Sequence, residues 1–230
     1  MKVLSTILIS AALLASGGPR SWAADLVELM AKRQVEAVVA GSDIQSVDIR
    51  LRPTVPVSAA APLHVDIVAG TFFESRNGAQ QNMVGTVSRS VDLTSKEWVE
   101  VTMAAACASR ARDIPDSSNQ FAVRRLPEQA ELAKAAKVLA AANAPYAVIQ
   151  AAIWIISDNA NYDDLGELVE TTTYNPSGGT RVIGQDEAAR AMRVLNDAGI
   201  DIRRKRIWAD RRQIASGVSD PALKTWLGGR

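Results

Sequence analysis

The residues able to do chemistry in this 230-residue chain are few: one cysteine, Cys107, one histidine, His64, and a side-chain amide, Gln150, set in the apolar run "YAVIQAAIWIIS". On a helix, Tyr146, Gln150, Trp154 and Ser157 fall on one stripe, while Val148, Ile149, Ala152, Ile153 and Ile156 fill much of the rest. A helix this apolar is buried. Each of its polar groups left unpaired costs about 1–3 kcal/mol, so Gln150 must meet donors and acceptors from another element. The plain chemistry is hydrogen bonding, with Gln150 tethering its helix to strand or loop backbone. A lone cysteine cannot make an intramolecular disulfide, so Cys107 is either a packed small hydrophobe or a special thiol.

Other constellations point to less. "DNANYDDLGELVE" places Asn159, Asn161, Asp163, Glu167 and Glu170 at the spacing of an EF-hand loop, but Asp164 stands where that loop needs glycine for its sharp turn. Asn161, Asp163 and Asp164 read instead as the cap and acidic start of a helix. His64 lies on the polar side of its strand beside Asp66 and reads as a surface residue. No G-x-S-x-G is present, "SGGT" is too short for a phosphate loop, and no catalytic triad or metal cluster is visible. The expectation is therefore a protein that is not an enzyme and carries no metal or cofactor. "DIRRKRIWADRR" offers Arg203, Arg204, Lys205 and Arg206 as contacts for an anionic envelope polymer or lipid head groups. Its other reading is a solvated helix face whose Ile202, Ile207, Trp208 and Ile214 pack inward.

The elements that must position these groups change period along the chain. Lys2, the run "VLSTILISAALLA" and the small residues Ser21 and Ala23 around Trp22 read as a signal peptide over residues 1–23, giving an exported, soluble protein, periplasmic or extracellular. The run is too short for a confident transmembrane helix, and no later stretch reaches the ~18 apolar residues of a span. Losing Lys2 and Arg20 with the leader leaves a nearly neutral chain, which does not suggest a nucleic-acid partner.

From Val35 to Val123 the period is two. "SVDIRL", "LHVDI", "VEAVVA", "NMVGTV", "RSVDL", "EWVEVTM" and "QFAVRRL" are candidate strands, and their turn spacing predicts an antiparallel immunoglobulin-like β-sandwich over residues 24–126. Parity from Val99, Val101 and Met103 turns Cys107 inward. After Pro127 the spacing is three and four. "PEQAELAKAAKVLAAAN", the segment from Pro145 to Asp158, "YDDLGELV", "QDEAARAMRVLNDAG" and "SDPALKTWLGG" predict a compact α-helical bundle over residues 127–230, with "YNPSGGT" as its longest loop. The fold class is thus α+β in two parts. The function expected is a non-enzymatic binding or interaction module whose partner is a protein or envelope polymer.

The segment Gln150-Ala151-Ala152-Ile153-Trp154 resembles the Thr-Gln-x-Ala-Ile-Trp helix motif of the thioester domains of bacterial surface adhesins. The resemblance implies a second function, covalent attachment. Cys107 would be the thiol, Gln150 the acyl donor that loses ammonia, and Trp154 the residue shielding the bond. A thioester is a stored acyl group, kept by exclusion of water and discharged when an amine or hydroxyl reaches it.

Overall fold

The computed structural model describes residues 24–124, 130–166 and 183–229. The leader, the 126/127 boundary, Glu167, Glu170 and the "YNPSGGT" loop lie outside the described residues.

The chain enters through a two-residue strand, β1 (Ala24–Asp25), and a short helix, α1 (Leu26–Ala31). Asp25 starts this helix by accepting the Val27 N–H at 2.9 Å. Then follow β2 (Val35–Asp43), β3 (Ser46–Pro53), β4 (Leu63–Ile67), β5 (Phe72–Ser75), β6 (Asn82–Gly85), β7 (Arg89–Leu93), β8 (Val99–Ala108) and β9 (Gln120–Arg124).

These strands do not build the expected immunoglobulin-like sandwich. In the order β2-β3-β8-β6-β5-β9 they close into a six-stranded antiparallel barrel, while β1-β4-β7 form a separate three-stranded sheet. The cause lies in β8 and β9. β8 pairs through its first half with β3 (Leu51↔Val99 to Ser46↔Ala104) and through its second half with β6 (Gly85↔Ala105 to Asn82↔Ala108). β9 sets Phe121 opposite both Ser75 of β5 and Val39 of β2, which shuts the ring. A period of two reports only that one face is buried, and a barrel interior satisfies it as well as a sandwich core does.

Nor do the helices form a bundle of their own. They are α2 (Ala130–Ala141), α3 (Tyr146–Ser157), α4 (Gln185–Asp197), α5 (Arg211–Gly217) and α6 (Pro221–Gly228), with 3-10 turns at Ile202–Arg204 and Arg206–Asp210. The described part of "YDDLGELV" is a turn over 162–165 rather than a helix. α3 is apolar on most sides because it is clamped between the barrel and the other helices. Its Ile153 packs with Phe72, Val84, Ala106, Ala108, Leu132 and Ala136, while Ala151, Trp154 and Ile155 join a core running from Val39 and Met103 in the barrel to Met192 and Ile207 beyond it.

Two features bring helices and barrel close. Gly70 has φ of 90° and lies against α2, where a Cβ would sit 2.7 Å from the Ala133 Cα. The end of β8 is a run of small residues, Ala104 to Ala108 with Cys107 among them. Met103, Ala105 and Cys107 face the main core, whereas Ala106 and Ala108 face α2 and α3. No helix among the described residues is long and apolar enough to cross a membrane.

Candidate functional site

Past Ala104 the barrel has a gap. β3 begins at Ser46, opposite Ala104, and the turn before it supplies one further bond, Ala105 N–H to Gln45 O at 2.7 Å. Cys107 and Ser109 point their N–H groups the same way, beyond the reach of any strand. Side chains of α3 take the place of the missing strand. Gln150 Oε1 accepts the Cys107 N–H at 3.0 Å, and Gln150 Nε2 donates to the Cys107 carbonyl at 2.7 Å. Asp158, which follows α3, accepts the Ser109 N–H at 3.3 Å and the Arg110 N–H at 2.9 Å. The spacing fits: eight residues of helix rise about 12 Å and three of strand about 10 Å, so one helix can serve successive positions of one strand end.

Gln150 is fully buried and the neighbouring Cys107 nearly so, at 2% exposed. The Cys107 Sγ lies 3.5 Å from Met83 Sδ and 3.7 Å from the Ile44 carbonyl. Burial, with the negative charge of Asp43 adding to it, pushes the thiol pKa up to about 12, so the group is a protonated thiol at neutral pH. One turn before Gln150, the Tyr146 hydroxyl stands 2.8 Å from Gln150 Oε1 and 2.6 Å from the Ile44 carbonyl. Burial, then the nearby Cys107 and Asp43, hold the phenol well above its ordinary pKa, so it stays a hydrogen-bond donor.

A pocket of about 280 Å³ opens onto this seam. Cys107, Gln150 and Trp154 line it together with Ile44 and Gln81, and its lining also includes Arg110, Arg112, Asp163 and Asp164. Two of its polar atoms, Gln81 Oε1 and Trp154 Nε1, are buried with no hydrogen-bond partner among the described residues. A buried polar atom without a partner carries a desolvation cost, so both atoms would be stabilised by a hydrogen-bond partner.

Three residues singled out from the sequence, Cys107, Gln150 and Trp154, thus meet in one pocket. Arg203, Arg204, Lys205 and Arg206 do not line it; they lie in the two 3-10 turns and, for Lys205, between them. Arg203 stacks 5.7 Å over Trp208, Lys205 pairs with Glu131 at 2.8 Å, and only Arg206 reaches toward the seam, contacting Asp164 at 3.1 Å. Asp164 also takes Arg110 at 3.1 Å and accepts the Asn161 N–H at 3.1 Å, while Asn161 Oδ1 accepts the Asp164 N–H at 2.8 Å. His64 pairs with Asp92 across β4 and β7, far from the chemistry of the seam.

Tyr146 belongs to the stripe visible in the sequence, and its bond to Gln150 is local to α3, but its contact with the Ile44 carbonyl exists only when α3 is docked. Gln81 and Ile44 carry no sequence signal at all; barrel closure places them. No protein family, curated protein or solved structure matches the chain.

Proposed function

We propose that this chain is an exported attachment module that stores an acyl group as a thioester between Cys107 and Gln150 and passes it to an amine or hydroxyl on a binding partner. The observation that carries the reading is the meeting, across 43 residues of sequence, of the only cysteine with a buried carboxamide bonded to that cysteine's own N–H and C=O. A tether explains those two bonds. It gives no reason for a pocket that reaches both residues or for an unpartnered indole N–H in its wall.

The chemistry balances without any further reagent. The Cys107 sulfur attacks Gln150 Cδ, the C–S bond forms, the C–N bond breaks, and the thiol proton leaves on the nitrogen as ammonia. In discharge, an incoming amine forms a C–N bond to Cδ, the C–S bond breaks, and a proton from the amine restores the thiol. Burial of Cys107 and Gln150 protects the bond from water between these steps.

The test is the intact mass of freshly prepared protein beside Cys107→Ala. The expected wild type begins near Ala24, lacks one ammonia, and shows no titratable thiol until methylamine is added. Cys107→Ala carries its full mass. A wild type of full mass with a titratable thiol in the denatured chain overturns the thioester and leaves Gln150 as a tether beside a non-covalent binding pocket.

A further inference from the structure

The geometry points to Tyr146 as a catalytic residue of the Cys107–Gln150 reaction, its hydroxyl hydrogen bond turning from the Ile44 carbonyl to Gln150 Oε1 as negative charge develops there. The inference rests on the thioester reading and assigns the group that makes bond formation and discharge fast.

The hydroxyl has one proton and two acceptors in reach, Ile44 O at 2.6 Å and Gln150 Oε1 at 2.8 Å. It can donate to only one of them at a time. In the resting carboxamide Oε1 already receives the Cys107 N–H at 3.0 Å, and the backbone carbonyl is the hydroxyl's shorter contact, which favours donation there. When sulfur adds to Cδ, or an amine adds to the thioester, Oε1 becomes an oxyanion and the stronger acceptor. The hydroxyl then needs to rotate only its hydrogen, because its oxygen is already in place.

Two donors thus converge on one oxygen from different elements, a backbone N–H from β8 and a phenol from α3. This is the arrangement that stabilises a tetrahedral intermediate, and it acts most strongly where water is excluded. Both ends of the switch are anchored in the backbone of the fold. Ile44 offers a main-chain carbonyl in the turn between β2 and β3, and Tyr146 sits four residues before Gln150 on the same helix face. The phenol remains protonated throughout, since burial raises its pKa.

The test compares wild type with Tyr146→Phe in the full mature chain. Two rates are read by intact mass: loss of ammonia after refolding, and gain of methylamine by the thioester form. Tyr146→Phe is expected to slow both by about a hundredfold, the usual cost of one oxyanion donor. Replacing Tyr146 by 3-fluorotyrosine keeps the fold and makes the phenol a stronger donor, so it is expected to speed methylamine discharge, a change that a merely packing role would not produce. Wild-type rates in the fluorinated protein, or in a folded Tyr146→Phe, overturn the assignment while the thioester stands. A wild type that never loses ammonia overturns both.

Discussion

The Gln150 seam and the Arg203–Arg206 segment both place polar side chains beside apolar neighbours, and they do so in opposite ways. At the seam, one uncharged amide is fully buried and two of its three bonds run to a single residue of another element. In the basic segment, Arg203 and Arg204 are exposed, and the ion pairs of Lys205 and Arg206 reach solvent. A buried polar group is held at one place because every other placement leaves something unpaired. An exposed charge has water as an equal alternative, so its partners fix little. Position, and with it reactive geometry, comes from the first kind of group.

The sharpest break of this contrast is Gln150→Leu, which keeps volume and removes both bonds. It leaves the Cys107 N–H and C=O without partners in the barrel wall, and a loss of about 2–5 kcal/mol is expected from two such groups. The midpoint of urea denaturation reads it. An unchanged midpoint would mean that the seam is no more determined than the surface.

A smaller effect is expected from pH. In chains whose thiol is free, Cys107 ionises near its ordinary 9.0 when unfolded and near about 12 when folded. The folded state therefore keeps its proton longer. Stability is intact below the unfolded value and falls as pH rises through this window. Tyr146, whose pKa is also raised, adds a fall in the same direction from its own higher starting value. Denaturation midpoints at about pH 8 and about pH 11 should diverge less in Cys107→Ala than in the free-thiol protein.

The smallest effect is expected from Arg203→Ala combined with Arg204→Ala. Neither guanidinium has a carboxylate partner among the described residues, so stability should stay within about 0.5 kcal/mol and methylamine discharge should keep its rate. A larger loss in thermal unfolding would show that the stacking of Arg203 on Trp208 holds the helices together.

How much of this was legible in the sequence depended on whether the physics was local. The alternation in "SVDIRL" and "LHVDI" marks β3 and β4, and the spacing around Gln150 marks α3, because each pattern records one element's own buried face. β5 escaped because Phe72 and Phe73 are both buried, one beneath the helices and one in the main core, which leaves no alternation to see. Barrel closure was hidden for a related reason. Alternation is silent on which strand lies beside which, and the decision falls to β9, a five-residue strand that pairs on both sides.

At the seam, parity turned Cys107 inward correctly, and the helix motif named Gln150 and Trp154. The hydroxyl of Tyr146 and the carbonyl of Ile44 were out of reach of such reasoning. Their meeting spans 102 residues and exists only once the turn between β2 and β3 faces α3.

The side-chain rungs that Gln150 and Asp158 add to β8 also do something for a chain in a crowded compartment. They occupy the hydrogen-bonding positions that a strand from a second molecule would take. Lifting α3 away would uncover the backbone groups of Cys107, Ser109 and Arg110 on that side of the strand, next to a newly accessible thiol, open to strand addition and to disulfide exchange together. The helix that seats Gln150 against Cys107 thereby also covers a strand edge and a thiol, and a variant that loosens it is expected to associate by strand addition and, through its one cysteine, to form disulfide-linked dimers.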